Sequence, residues 1–247
     1  MKRIRTLYKI TSPKVKRQIR FAVASDIHCG ACEDVTHDFE KCDAVLVPGD
    51  LVDRHTRNNE GAYRFLKEIP ERFTVFYSLG NHERKFHHKD QWMAAVQQSR
   101  IILLDNESRE FKGIHIGGLS SVSHTEKPDL ELLERFEKKE GFRLLLCHHP
   151  EMYRDVVSGR EIDCTLSGHA HGGQIQIRGR GLYAPGQGLF PELTHGIYDG
   201  GRLIISRGMT NNARPRIPRI NNPCELIVLE ITPGEKYACW KEMKNDE

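Results

Sequence analysis

Short apolar runs recur along this chain, separated by stretches with a helical spacing of apolar residues. Residues 19–25, 44–47, 73–79, 101–104, 142–147 and 164–166 are too short for helices and lack polar alternation, which predicts strands buried on both faces. Residues 61–69, 90–98 and 128–139 read as amphipathic helices. Pro128-Asp129 opens the last of these and Gly141 closes it. Residues 203–206 and 225–231 again read as strands. Alternating strands and helices predict an α/β layered fold, and no repeat or Pro/Gly/Ser linker divides the chain, so one domain is expected over 1–247. From residue 142 onward loops separate the strands more than helices do. This predicts a more antiparallel second sheet packed on the first.

Composition narrows the classes. The 247 residues are 38% hydrophobic, enough for a core, which excludes wholesale disorder. No apolar run approaches the roughly 20 residues of a membrane span. The basic start has no apolar segment of the kind a secretory signal carries. Seven irregularly spaced cysteines do not form a disulfide framework, and a reducing cytoplasm is expected. Residues 1–20 hold eight Lys/Arg and no acid, leaving 29 basic against 34 acidic residues elsewhere, a net of −5. With Ile4, Leu7, Tyr8 and Ile10 interleaved among charges, residues 1–18 are expected to form an edge strand whose basic face discourages aggregation. The competing reading is peripheral contact with an anionic membrane. The acidic remainder carries no basic stripe with interleaved aromatics, so nucleic acid is not expected as a partner. Nothing in the pattern assigns an oligomeric state.

Five polar clusters follow strand-like runs: Asp26-Ile27-His28, Gly49-Asp50-Leu51-Val52-Asp53, Gly80-Asn81-His82-Glu83, His148-His149-Pro150 and Gly168-His169-Ala170-His171-Gly172-Gly173-Gln174. Open α/β sheets place ligands at the carboxyl ends of their strands, so five such ends would meet in one crevice. Asp, His and Asn are metal donors. In extended backbone Asp26 with His28, and His169 with His171, would each present two donors to one side. The donors are too numerous for one tetrahedral ion and suit two divalent ions sharing a carboxylate, with Mn²⁺, Fe or Zn²⁺ all matching a set without thiolate.

These clusters, in this order, resemble the calcineurin-like metallophosphoesterase signature over about residues 20–231. The Gly168–Gln174 run is similar to that of a bacterial phosphodiesterase branch, as are segments 184–188, 206–208 and 218–220. Many relatives there carry an N-terminal anchor or export signal, which this chain does not show. They also fit a longer helix than the interval from His28 to Asp43 allows. The resemblance implies a layered α/β sandwich of two packed mixed β-sheets flanked by helices. It implies Asp26, His28 and His171 as ligands of one metal, Asn81, His148 and His169 as ligands of the other, and Asp50 as the bridge. His82 would protonate the leaving oxygen after attack by a metal-bridging hydroxide. Asp53 would orient a histidine or water, and Glu83 is a further candidate for such support. The function implied is a two-metal phosphoesterase, a phosphodiesterase first, acting on a small-molecule or lipid-linked phosphate ester. Nucleotide- or lipid-linked pyrophosphate hydrolysis and phosphomonoester hydrolysis are the alternatives on the same site. A non-catalytic scaffold would be expected to have lost ligands, and none is missing.

Other reactive residues are set aside. Cys29-x-x-Cys32 has no second cysteine pair and is read as structural, as is Cys147. His149 is assigned to packing or capping beside His148. His37, His55, His87, His88, His115 and His124 match no motif. His195 could border the crevice, and Arg207 could meet a phosphate oxygen or an ion-pair partner.

Overall fold

The computed structural model describes residues 3–122, 127–211 and 218–243. His124 lies outside them. Its strands are β1 (Arg3–Ser12), β2 (Ile19–Val23), β3 (Ala44–Pro48), β4 (Val75–Ser78), β5 (Ile102–Leu103), β6 (Glu107–Phe111), β7 (Ile114–Leu119), β8 (Phe142–Cys147), β9 (Cys164–Ser167), β10 (Gln176–Ile177), β11 (Arg180–Gly181), β12 (Tyr183–Ala184), β13 (Gly188–Leu189), β14 (Gly196–Tyr198), β15 (Leu203–Ile205), β16 (Cys224–Pro233) and β17 (Tyr237–Glu242). The α-helices are α1 (Thr36–Glu40), α2 (Glu60–Arg72), α3 (Asn81–Arg84), α4 (Lys89–Gln98), α5 (Leu130–Glu137) and α6 (Pro150–Met152). One sheet runs β17-β1-β16-β2-β3-β4-β5 and the other β14-β15-β9-β8-β7-β6.

The two sheets pack face to face, as expected. Alternation along each strand divides its side chains between two apolar layers. Leu144 and Leu146 of β8 join Leu46, Phe76 and Phe21 between the sheets, whereas Leu145 and Cys147 face outward onto Leu132, Leu133 and Phe136 around α5. Likewise Ala44 and Leu46 of β3 look inward while Val45 and Val47 pack under Phe65, Leu66 and Ile69 of α2. With both faces covered the strands are apolar throughout, and each fully buried Leu or Phe contributes about 2 kcal/mol. The amphipathic helices lie where the spacing predicted them. α2 buries Ala62, Phe65, Leu66 and Ile69. α5 starts two residues later than expected, with Asp129 as its cap: Leu132 N–H donates to Asp129 Oδ1 at 2.8 Å.

Two expectations are corrected. The second sheet is not predominantly antiparallel: β15, β9, β8 and β7 run parallel, and only the marginal strands β14 and β6 are reversed. α5 supplies the crossover from β7 to β8, and brief helical turns after β8 suffice for the next. β1 is a strand but not the edge: β17 pairs outside it, antiparallel, and β16 inside it, parallel. Its basic side chains are committed within the fold. Arg3 pairs with Asp34, Arg5 with Asp38 at 2.9 Å and Lys9 with Glu230 at 3.0 Å, and just past the strand Lys14 pairs with Asp163 at 2.7 Å.

The β6–β7 hairpin and β17 were missed. Lys112-Gly113, both at positive φ, form the two-residue turn of that hairpin, and Gly113 was the available signal. The short interval after His28 holds a 3₁₀ turn at Glu33–Val35 and the five-residue α1.

Candidate metal centre

Five strand ends converge. Asp26 follows β2, Asp50 follows β3, Asn81 follows β4, His148 follows β8 and His169 follows β9. Hydrogen bonds tie the two sheets together at this edge. His169 N–H donates to Asp26 Oδ1 at 3.1 Å, and His148 Nδ1 lies 2.8 Å from the Pro48 carbonyl. Ser25 Oγ donates to Asp26 Oδ2 at 2.6 Å and Thr210 Oγ1 to the Asp26 carbonyl at 3.0 Å, which holds the carboxylate from behind.

Donor atoms meet in overlapping groups. Asp26, His28 and His171 bring theirs within 4.8 Å of one another, as do Asp50, His148 and His169, and as do His28, Asp50 and His82. Asp50 Oδ2 is the common point, 3.9 Å from His28 Nε2, 3.1 Å from His148 Nε2 and 3.9 Å from His82 Nε2. Asp26 Oδ1 is 3.9 Å from His28 Nε2 and 3.6 Å from His171 Nε2. Asp26 and His28 do meet, whereas His169 and His171 fall in different donor groups, and neither placement follows β alternation. Asp26, His28, Asp50, His169 and His171 all lie at positive φ, between 43° and 64°, so each turns its side chain by a left-handed kink.

The donors fit divalent cations. Asn81 Oδ1 is buried without a hydrogen-bond partner, a carbonyl oxygen whose desolvation is otherwise uncompensated. His28 Nδ1 is 3.3 Å from the Val52 carbonyl, and His148 Nδ1 has the Pro48 carbonyl. These contacts place the proton on Nδ1 and leave the inward Nε2 for ligation. Burial depresses the pKa of His28 to about 4 and, together with Arg219, that of His171 to about 3. Burial, with His149 and His148 beside it, also holds His169 well below the ordinary range. These rings are neutral and available. Burial opposes charge on His148, but Asp50 outweighs it and raises His148 to about 10. Burial likewise opposes the Asp50 carboxylate, yet His148, His82 and His28 bring it well below the usual range. A cation binding there would displace the His148 proton.

Two side chains support this edge from the same cluster of residues. Glu83, buried, accepts four backbone N–H groups: Asp50 at 3.0 Å, Leu51 at 2.7 Å, Val52 at 3.1 Å and Gly80 at 2.7 Å. Burial and then Asp50 raise its pKa, against the pull of the Val52 N–H. Its part is larger than the sequence suggested. His82 Nδ1 lies 3.4 Å from Asp53 Oδ1 and accepts from the Arg54 backbone N–H at 3.2 Å, and the His82 backbone N–H donates to Asp50 Oδ1 at 2.9 Å. Burial lowers the His82 pKa, but Asp50 and Asp53 prevail and raise it.

Residues set aside fall variously. His149 Nδ1 is 3.0 Å from Ser121 Oγ, and its ring centroid is 4.2 Å from that of His169. His55, read as unconnected, stacks edge-on to His82 at 5.4 Å. His195 bonds Gln176 and Thr194, while Arg207 Nη1 donates to Gln176 Oε1 at 3.2 Å. Both therefore brace the segment behind His171 and are not brought into the donor cluster. Cys29 and Cys32 are free thiols pushed up to about 12 by burial, which makes them unreactive. Arg219 was missed as a site residue: its Nη2 stands 3.2 Å from His171 Nδ1 and donates to the Thr210 carbonyl at 2.6 Å. Its only signal was a place in a segment matched to the phosphodiesterase branch.

Residues 19–173 match the calcineurin-like phosphoesterase family model. An uncharacterized metallophosphoesterase of Aquifex aeolicus is 26% identical, over 91% of this chain and 90% of its own length. One of Campylobacter jejuni is 26% identical over 89% of this chain, and the chain spans 60% of that relative's length. An uncharacterized protein of Bacillus subtilis, YpbG, is 30% identical over 81% of this chain and 77% of its own. The chain belongs to the calcineurin-like phosphoesterase family.

Proposed function

We propose, with that membership as the premise, that the chain is a two-metal phosphoesterase acting on phosphodiesters. The observation that carries the reading is Asp50 Oδ2, which stands among donor groups from both sheets. On this reading Asp26, His28 and His171 hold one ion, Asn81, His148 and His169 hold the other, and Asp50 serves both. Two divalent cations there would supply a water ionised near neutral pH and would neutralise charge on the phosphoryl oxygens.

The chain's own residues do the rest. His82 carries a proton at Nε2, on the side that faces Asp50, and gives it to the departing oxygen. Asp53, 3.4 Å from the other ring nitrogen, favours charge on the ring, and with the Arg54 N–H it fixes the ring's direction. Glu83 fixes the loop from Asp50 to Val52, so the shared carboxylate stays in place. The preference for diesters rests on the resemblance of Gly168–Gln174 to the phosphodiesterase branch. The irregular spacing of the seven cysteines supports a reducing compartment, and we assign the cytoplasm. Among the described residues no helix is long and apolar enough to cross a membrane.

The test is chelation, reloading with Mn²⁺, and comparison of bis-p-nitrophenyl phosphate with p-nitrophenyl phosphate, with bound metal counted in the same sample. Two ions per chain and turnover favouring the diester are expected. Preference for the monoester would overturn the substrate class, and a single bound ion would overturn the shared role of Asp50.

A further inference from the structure

Four of the eight exposed large apolar side chains among the described residues stand together: Ile177, 60% exposed, Leu189, 69%, Phe190, 75%, and Ile220, 47%. Ile177 and Leu189 belong to two short hairpins that follow the candidate metal centre directly, and Phe190 comes immediately after the second. β10 pairs with β11 through the turn Arg178-Gly179, and β12 pairs with β13. Phe190 N–H donates to the Leu182 carbonyl at 2.9 Å, and Leu182 N–H donates back to Ile175 at 2.8 Å, so the hairpins form one tip. Ile220 joins it by a bridge to Ile175. The tip leans on the site: a methyl group at Gly186, in the β12–β13 turn, would lie 3.7 Å from His169 Nε2.

Arginine flanks the apolar cavity at this tip. A cavity of about 560 Å³ is lined by Ile177, Arg178, Arg180, Gly181, Leu182 and Phe190. Arg178 and Arg180 are exposed, and neither has an ion-pair partner among the described residues. Glu192 lines a neighbouring cavity with Arg180 and Phe190 and lies 3.8 Å from Arg154. Water-exposed Leu and Phe side chains on turns, flanked by unpaired arginines, match an interface that is apolar below and anionic at its surface. A second copy of the chain fits poorly, since a two-fold contact would set these arginines against themselves. The basic N-terminal strand is the weaker candidate for the same role, because Arg3, Arg5, Lys9 and Lys14 already pair with acids of the fold.

We propose that this double-hairpin tip docks on a membrane surface bearing anionic lipid headgroups, with Leu189 and Phe190 entering the headgroup layer and Arg178 and Arg180 on lipid phosphates. Docking would present the metal centre to phosphoesters held at that surface, a consequence that rests on the phosphoesterase reading, whereas docking itself does not.

Sedimentation with large vesicles tests it without turnover. Vesicles of phosphatidylcholine alone are compared with vesicles in which about a third of the lipid is phosphatidylglycerol. The protein is expected to bind the second and not the first, more weakly as salt rises. Arg178→Ser and Arg180→Ser should each weaken partitioning about fivefold, and Phe190→Ser about tenfold. All three should keep the metal content, the melting temperature and hydrolysis of soluble esters. Lys16→Ser with Arg17→Ser should leave partitioning unchanged. The proposal is overturned if anionic vesicles are not bound, if the N-terminal pair rather than the tip controls binding, or if Phe190→Ser instead dissolves a dimer seen by analytical ultracentrifugation.

Discussion

Replacing Glu83 by Gln removes one oxygen and one charge from a buried carboxylate that organises the Asp50 loop. Oε1 accepts from Leu51 and Val52, and Oε2 accepts from Asp50 and Gly80. The amide can satisfy one of these pairs. The other pair loses its acceptor and faces an NH₂ group, donor against donor. A hydrogen bond to a charged group contributes about 1.5–3 kcal/mol net, so two lost bonds cost roughly 3–6 kcal/mol. Removing a buried charge returns part of that, because burial and the neighbouring Asp50 already disfavour the carboxylate. The net expectation is a loss of about 2–4 kcal/mol, which a domain of ordinary stability survives. Asp50 sits at φ 57° in the loop so released, and Mn²⁺ affinity should fall about 10- to 100-fold. Urea unfolding of the metal-free protein and calorimetric Mn²⁺ titration measure the two effects. Stability within about 0.5 kcal/mol of wild type together with an unchanged Mn²⁺ Kd would refute the claim that this carboxylate sets the loop.

His82→Asn should retain both metals while kcat falls about 10²- to 10⁴-fold on alkyl diesters, and much less on p-nitrophenyl esters, whose leaving group needs no proton. Equal losses on both would remove His82 from proton transfer. Gly168→Ala places a methyl group against Ser25 Oγ and Asp26 Oδ2 and should cost about 1–3 kcal/mol and weaken Mn²⁺ binding, read by melting and titration; wild-type values for both would contradict the packing argument. For the metal-free protein, His28 and His171 have folded pKa values of about 4 and about 3, below the roughly 6.5 of the unfolded chain. Their contribution is therefore complete above pH ~6.5 and lost as pH falls toward 4. His148, raised to about 10, contributes fully below pH ~6.5 and loses its contribution as pH rises through 10. Stability without metal should peak near pH ~6.5, and a melting temperature that is level from pH 5 to pH 9 would rule the ring assignments out.

Strands covered on both faces and helices with a clear apolar stripe were legible in the sequence. Leu144–Cys147 and Phe65–Ile69 could hardly have been read otherwise. Pairing direction was less legible, because apolar runs look alike in parallel and antiparallel partners and the connections after β8 are too brief to signal a crossover. β17 was missed for the opposite reason: its exposed Tyr237 and Trp240 and its charged neighbours lack the composition of a core strand, although Trp240 stacks on Tyr8. In the site, the residues that face the crevice declared themselves by type and place. The residues behind them did not. Thr210 and Arg219 act through contacts spanning long sequence separations and Ser25 through its neighbour Asp26, and a serine, a threonine or an arginine in isolation carries no such signal.

The donors were legible for a reason that joins backbone to chemistry. A strand that ends at a crevice must turn sharply if its next side chain is to reach across. Here the turn is made by a left-handed residue at Asp26, His28, Asp50, His169 and His171. That region excludes β-branched residues and admits Asp, Asn and His several-fold more readily than most others. These are also the residue types that supply oxygen and imidazole donors. One constraint selects for tolerance of the kink and the other for ligation, and both fall on the same positions. The kinks cost of order 1–3 kcal/mol each and persist only where surrounding contacts fix them. The bonds from His169 N–H to Asp26, from His148 Nδ1 to Pro48 and from four N–H groups to Glu83 provide that restraint without any cation. The donor groups are thus held near one another by the fold itself, so on the proposed reading a metal's binding energy need not be spent on ordering the loops.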